Sequence, residues 1–211
     1  MKEKEKIKTK ERWKEKIKVR MHNINRLKED SLKLEWLVEY YKKEQFNLMG
    51  IVETNINEKE GEWFNIENRA YRSFWTDTEK DKKKGSGVRL LVDQDGSHYI
   101  GICKKFNLYL LKAEFYFRKV MLQVWIVYIL PKNEEIAKKV HKIILEELIK
   151  NKKNTFYIVM GDFNATLNRE LDTSSKGKRI QDANSKIIRW LKNTDYIETF
   201  CFCNHDMIKF S

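Results

Sequence analysis

The chain has 211 residues, enough to bury a sizeable core as one domain or one domain with an extension. Its 41% hydrophobic and 12% aromatic content excludes a wholly disordered protein, and one proline with eight glycines excludes a linker-rich or fibrous one. A formal net charge of +12 points toward polyanions such as nucleic acid as partners.

Much of that charge is local: residues 1–20 hold ten Lys or Arg against four Glu. Residues 1–15 are a Lys/Glu run, read as a basic charged arm, helical or disordered, ahead of a domain over residues 16–211. Its functional alternative is a nucleic-acid-binding or nuclear-targeting arm. The start, Met1-Lys2-Glu3-Lys4-Glu5-Lys6, lacks the apolar stretch of a signal peptide. The longest apolar run, Val124 to Leu130, is too short to span a bilayer, so no membrane partner is expected. Cys103, Cys201 and Cys203 are an odd number without a framework spacing, as expected of reduced thiols. These features predict an intracellular chain, in the nucleus or cytoplasm and not secreted.

From Lys16 the pattern is organised. Ile17, Val19, Met21 and Asn23 alternate with Lys18, Arg20 and His22, a period of two that predicts a strand. Leu32, Trp36, Leu37, Tyr40 and Tyr41 follow at helical spacing, and the helix should end near Phe46-Asn47. Leu48–Val52 is a short apolar run expected to be a buried strand, which completes a parallel strand–helix–strand crossover. Strands are predicted over residues 70–76 and 87–92, separated by a polar loop. Three more, near His98–Cys103, Leu108–Phe117 and Val120–Leu130, read as an antiparallel meander with turns containing Lys104-Lys105 and Arg118-Lys119. Ile136, Val140, Ile143, Ile144, Leu148 and Ile149 mark an amphipathic helix. Phe156–Met160 reads as another buried strand, and Ile187–Leu191 sits in a last helix. Trp36, Trp63, Trp75, Trp125 and Trp190 are expected mostly in the core. This order predicts an α+β fold with helices covering a sheet-on-sheet core.

Three segments place polar groups directly after an apolar strand, where sites tend to sit. They are Asn23-Ile24-Asn25-Arg26-Leu27, Glu53-Thr54 and Gly161-Asp162-Phe163-Asn164. If the strands are neighbours, Asn23, Asn25, Glu53, Asp162 and Asn164 gather at one edge of the core. Carboxylates and carboxamides with no His or Cys beside them form an oxygen-donor set, suited to Mg²⁺ rather than Zn²⁺. Plainer roles suit the same residues: Asn23 and Asn25 as turn caps, Glu53 as a loop carboxylate, Asp162 and Asn164 as turn residues. Cys201-Phe202-Cys203-Asn204-His205 lacks a fourth ligand for zinc. Lys82-Lys83-Lys84 reads as a solvated loop before it reads as a phosphate contact.

These segments, with Gly85-Ser86-Gly87-Val88 and the stretch from Tyr128 to Pro131, occur in an order that resembles the endonuclease/exonuclease/phosphatase superfamily, of DNase I-like fold. The stretch Gly161–Asp172 is most similar to endonuclease domains of LINE-type retrotransposons. The resemblance covers about residue 16 to the end. It implies a two-sheet β-sandwich flanked by helices and Mg²⁺-dependent hydrolysis of a phosphodiester in DNA, with Mn²⁺ as an alternative ion. It implies that Glu53 binds the metal, that Asp162 takes the proton of the attacking water and that Asn164 orients water or phosphate. Asn23 would contact the phosphate, and Tyr128 would donate to it, although Tyr128 also suits a plain core position.

The pattern departs in three places. Asn25 stands at a metal-ligand position where many members carry Asp. Arg26 replaces a common glycine, which strains the turn if that position needs a positive φ. The stretch Asn204-His205-Asp206 to Ser211 matches the point just before the family's last strands, so a domain missing those strands and their closing Asp–His pair is expected, and no residue matches the terminal His. The alternative function is a non-catalytic nucleic-acid-binding remnant, and a phosphatase acting on a phosphomonoester is a third reading.

Overall fold

The computed structural model describes residues 16–27, 30, 32–67, 70–78, 85–131, 133–150, 153–164, 185–194 and 196. The basic arm, Lys82–Lys84 and the segment 201–205 lie outside the described residues, as does the side chain of Trp63. The chain divides into two compact units, residues 1–128 with 150–162, and residues 129–149 with 163–211.

The first unit holds two four-stranded mixed sheets. In the first, β1 (Val19–Asn23) pairs in parallel with β2 (Leu48–Val52) through the crossover helix α1 (Leu32–Glu44). Strand β4 (Val88–Asp93) lies antiparallel between β2 and β3 (Tyr71–Trp75), giving the order β1-β2-β4-β3. Helix α2 (Glu58–Glu67) precedes β3, and the short α3 (Gln94–Ser97) follows β4. The second sheet is the meander β5 (Ile100–Asn107), β6 (Leu110–Tyr116) and β7 (Met121–Tyr128), with β8 (Thr155–Asp162) added in parallel to β7. The α+β sandwich expected from the sequence is therefore present.

The sheets meet over small and flexible side chains. A Cβ on Gly50 of β2 would lie 2.6 Å from Met21 Sδ of the adjacent β1 and 3.0 Å from Ile126 Cδ1 of β7 in the facing sheet, so a side chain there would crowd both. The outer face of the first sheet carries a second cluster. Met49, Ile51, Leu91 and Trp75 pack there with Leu34, Val38 and Tyr41 of α1. Helix α1 ends in a left-handed turn at Gln45 (φ 57°), where Gln45 NH donates to Lys42 O and Phe46 NH donates to Tyr41 O. The Phe46 ring then meets Tyr41 edge-on at 5.6 Å, the apolar contact usual for this stop. Helix α2 starts with reciprocal bonds between Asn57 and Glu60, Glu60 NH to Asn57 Oδ1 at 2.8 Å and Asn57 NH to Glu60 Oε2 at 2.9 Å.

The second unit contains α4 (Glu134–Leu148), capped by Asn133, and α5 (Ser185–Asn193). Ala137, Val140, Ile144 and Leu148 form the buried stripe of α4. Among the described residues no helix is long and apolar enough to cross a membrane.

The structure corrects four expectations. The buried stripe of α1 is Leu34, Val38 and Tyr41, whereas Leu32, Trp36 and Tyr40 are exposed. Both stripes are apolar at helical spacing, so periodicity does not choose between them; packing on Met49 and Ile51 does. Trp36, expected in the core, is 67% exposed, while Trp75 and Trp125 are buried. Lys104 and Lys105 lie within β5 opposite Lys112 and Leu111, and the turn comes after Asn107. Strand β8 is an edge strand, so it is only half-buried, with Phe156 65% exposed.

Strand β8 can nonetheless approach β7 closely only because residue 161 is glycine. A Cβ there would lie 1.8 Å from Val127 O, a backbone atom that cannot move without shifting β7. Gly161→Ala should lower the unfolding free energy by about 1–3 kcal/mol, the usual range for overpacking. Urea unfolding with an unchanged midpoint would contradict this close approach.

Candidate active site

Each parallel strand pair ends at the same edge of the sandwich. Asn23 is the last residue of β1 and lies opposite Val52, the last of β2; Glu53 follows directly. Tyr128 is the last residue of β7 and lies opposite Asp162, the last of β8. Two hydrogen bonds then cross between the sheets. Asn23 Nδ2 donates to Asp162 Oδ2 at 2.9 Å, and Tyr128 OH donates to Glu53 Oε1. Each carboxylate is thus held by a neutral donor from the other sheet.

Glu53 reaches this position by breaking the strand rhythm. Alternation would put it in phase with Met49 and Ile51, which pack on the outer face with α1. A left-handed backbone at Glu53 (φ 57°) interrupts the alternation, and its carboxylate meets Tyr128 of the opposite sheet. Asn55 (φ 50°), buried, secures the turn. Its Nδ2 donates to Glu53 O at 3.0 Å, its Oδ1 accepts from Ser86 NH at 3.2 Å, and its own NH donates to Ser86 O at 3.0 Å. The Gly85-Ser86-Gly87 segment is therefore the brace under Glu53. Asn55 was not among the sequence candidates. Its signal was an Asn two residues after the Glu, a type that tolerates left-handed backbone and bonds to its own turn.

The turn after β1 is also left-handed, at Asn25 (φ 46°) and Arg26 (φ 75°). The strain expected for Arg26 is present: a β-carbon occupies a conformation that favours glycine. The turn is held by Arg26 NH to Glu53 O at 2.8 Å and Leu27 NH to Thr54 O at 3.0 Å, so the β1 and β2 exits are laced together. Asn25 is exposed, and its recorded tie to the cluster is its backbone NH, which donates to Asn23 Oδ1 at 3.0 Å. Asn164 (φ 43°) belongs to the second unit, where its Nδ2 donates to Ile129 O at 2.9 Å. Of the six candidates, the structure brings together Asn23, Glu53, Tyr128 and Asp162.

The Tyr128 hydroxyl stays protonated well above the usual phenol range. Burial is the main cause, followed by its bond to Glu53 and the negative charges of Glu53 and Asp162. Both carboxylates therefore act on one hydroxyl. Among the described residues no group of three or more His, Cys, Asp or Glu could hold a metal ion. What the strand ends offer is a pair of carboxylates with carboxamide oxygens beside them. The one described cysteine, Cys103, is a free thiol whose pKa burial pushes up to about 11, which leaves it a poor nucleophile.

No protein-family model and no curated protein matches this sequence. Solved structures do. The chain is similar to an AP endonuclease from Archaeoglobus fulgidus, with a TM-score of 0.69 at 12% identity over 91% of this chain and 76% of that one. It is similar to the endonuclease domain of TRAS1, a telomere-specific non-LTR retrotransposon, with a TM-score of 0.59 at 16% identity over 84% and 71%. Against a humanized D. rerio TDP2 the TM-score is 0.54 at 12% identity, covering 74% of this chain, which spans 65% of that chain's length. At such identities the likeness establishes the fold.

Tyr128 and Tyr41 both have phenol pKa values raised above 10, chiefly by burial. A raised folded value means their stabilising contribution is complete below the unfolded value of about 10 and is lost as pH rises beyond it. The free energy of unfolding should therefore decline above about pH 10, and Tyr128→Phe and Tyr41→Phe should each flatten the decline. Denaturant titrations at several alkaline pH values would read this; an equally steep decline in both variants would refute it.

Proposed function

We propose that this chain, which has the two-sheet DNase I-like fold, is a metal-dependent phosphodiester hydrolase acting on DNA. The observation that carries the reading is the pair of hydrogen bonds crossing between the sheets, which bring Glu53 and Asp162 from separate strand ends to one polar cluster. Structures of the same fold include proteins named as endonucleases, which supports this general kind of chemistry. The likeness to the TRAS1 domain is in keeping with an origin in a retrotransposon.

The donor set fits a hard divalent cation. Glu53 uses Oε1 for Tyr128, and no bond to its Oε2 is recorded among the described residues. Glu53 would hold Mg²⁺ or Mn²⁺, with Asn25 as a neutral candidate ligand close by in the chain; the bound ion would offset phosphate charge and polarise the scissile bond. Asp162, steadied by Asn23, would accept the proton of the attacking water. Asn23 also stands where its carboxamide could turn to a phosphate oxygen. Tyr128 keeps its proton at any physiological pH, so it is a lasting donor for charge developing on phosphorus oxygens. Asn164, two residues beyond Asp162, would orient water or phosphate. The net charge of +12 would favour the DNA backbone through counterion release, so binding should weaken steeply with salt.

Purified protein incubated with supercoiled plasmid and Mg²⁺ should convert it to nicked circles, and chelation should stop this. Glu53→Ala and Asp162→Asn should each lower the nicking rate by about 10²-fold or more, while Asp162→Asn keeps an oxygen for Asn23 and so should leave the thermal midpoint nearly unchanged. Retarded but uncut plasmid would instead assign the chain as a non-catalytic nucleic-acid binder. Nicking that persists in both variants would overturn the site.

A further inference from the structure

We propose that the groove between β1 and α1 is a track for an unpaired nucleic-acid strand leading to the strand-end site. This inference deepens the DNA reading above and rests on it for the direction of travel, but its binding chemistry stands on separate residues. Leu32, Trp36 and Tyr40 follow each other one turn apart on α1 and are 49%, 67% and 45% exposed. The buried stripe of α1 is Leu34, Val38 and Tyr41 instead, and of the exposed three Tyr40 also meets the rings of Tyr41 and Phe46. A groove of about 410 Å³ opens beside this stripe, lined by His22, Ile24, Lys33, Trp36, Leu37 and Tyr40.

The charge of the facing strand says what would lie there. Among the described residues β1 is an edge strand; Arg20 and His22 alternate along it and Lys16 and Lys18 continue the alternation just ahead of it, all exposed. Because burial and the charge of Arg20 lower the His22 pKa, the charge comes from the Lys and Arg side chains. The charge of Arg20 bears on Tyr41 of α1, which places it on the helix side of the sheet. Lys33 adds a cation from α1 itself. The helix also carries Glu35, Glu39 and Glu44, of which Glu39 is paired with Lys42 at 2.6 Å. Rings on α1, with Lys33 beside them and Arg20 on the helix side of β1, match bases and phosphates of a single strand. Stacking tolerates any sequence, because every base has a π-face, whereas a duplex keeps those faces inside. A second copy of this chain would bring the same cations against them, which disfavours self-association here. Two of the lining residues, His22 and Ile24, flank Asn23 in the chain, whose carboxamide holds Asp162. A strand in the groove is thereby led to the paired carboxylates.

The test is fluorescence anisotropy of the full chain with labelled oligo(dT) and with a duplex of equal length, in chelator so that nothing is cut. The Trp36→Ala/Tyr40→Ala double variant should lose about tenfold or more in oligo(dT) affinity and much less for duplex, and Trp36→Phe should retain most of it. Arg20→Ala with Lys33→Ala should reduce the salt slope of oligo(dT) binding by about one to two. Unchanged oligo(dT) affinity in the aromatic double variant overturns the track, whatever the plasmid assay shows. So does a dimer in sedimentation that Trp36→Ala converts to monomer, which would assign the face to self-association. Oligo(dT) binding that depends on Trp36 and Tyr40, in a chain that nicks no plasmid, keeps the track and removes the hydrolase reading.

Discussion

The hydrogen bonds from Tyr128 to Glu53 and from Asn23 to Asp162 each join one sheet to the other at the ends of parallel strands. Both sheets are mixed, and in each the parallel pair supplies one anchor and one carboxylate. Elsewhere the sheets meet largely through apolar side chains, with Thr76 Oγ1 and Gly87 NH both donating to Leu108 O as a second polar tie. The polar crossing sets which strand ends face each other and how the acids are turned. Removing the Tyr128 hydroxyl would take from the partly buried Glu53 carboxylate the bond that crosses to the other sheet, which is more damaging than the net strength of one hydrogen bond suggests.

The backbone around this crossing is unusual. Asn25, Arg26, Glu53 and Asn55 all have positive φ, and all follow β1 or β2 directly. Left-handed backbone is uncommon outside glycine and persists where surrounding structure over-determines it. Here the determinants are visible: Asn55 binds Ser86 through both backbone and side chain, and Arg26 NH and Leu27 NH reach across to Glu53 and Thr54 carbonyls. Gly87 (φ 85°) completes the brace, since a Cβ there would lie 2.3 Å from Thr54 Oγ1. The strained residues are those that turn the Glu53 carboxylate from the helix side toward the partner sheet.

Much of the fold was legible in the sequence because its signals were local. The alternation up to Asn23, the apolar run Leu48–Val52 and the meander all reported their own periods, and the parallel crossover followed from their order. Helix α2 was missed although Asn57 and Glu60 form its capping box, because its apolar pattern is weak. The outward place of Trp36 is not legible from spacing because two apolar stripes share one helix, and only the sheet beneath decides between them. The site was legible as a set of residue types at strand ends. Its wiring was not: Asn23 and Asp162 are 139 positions apart, and no local pattern encodes that bond. Nor does a period-two rule foresee the turn at Glu53, since the residue leaves the strand's rhythm at the candidate site.

The two donors that span the sheets are a phenol and a carboxamide, and neither carries charge. They aim the acids without cancelling them. Had lysine or arginine stood in place of Tyr128 or Asn23, each acid would be held by an ion pair rather than by a neutral hydrogen bond. With uncharged holders, the direction of each acid is set without the holder adding a charge of its own.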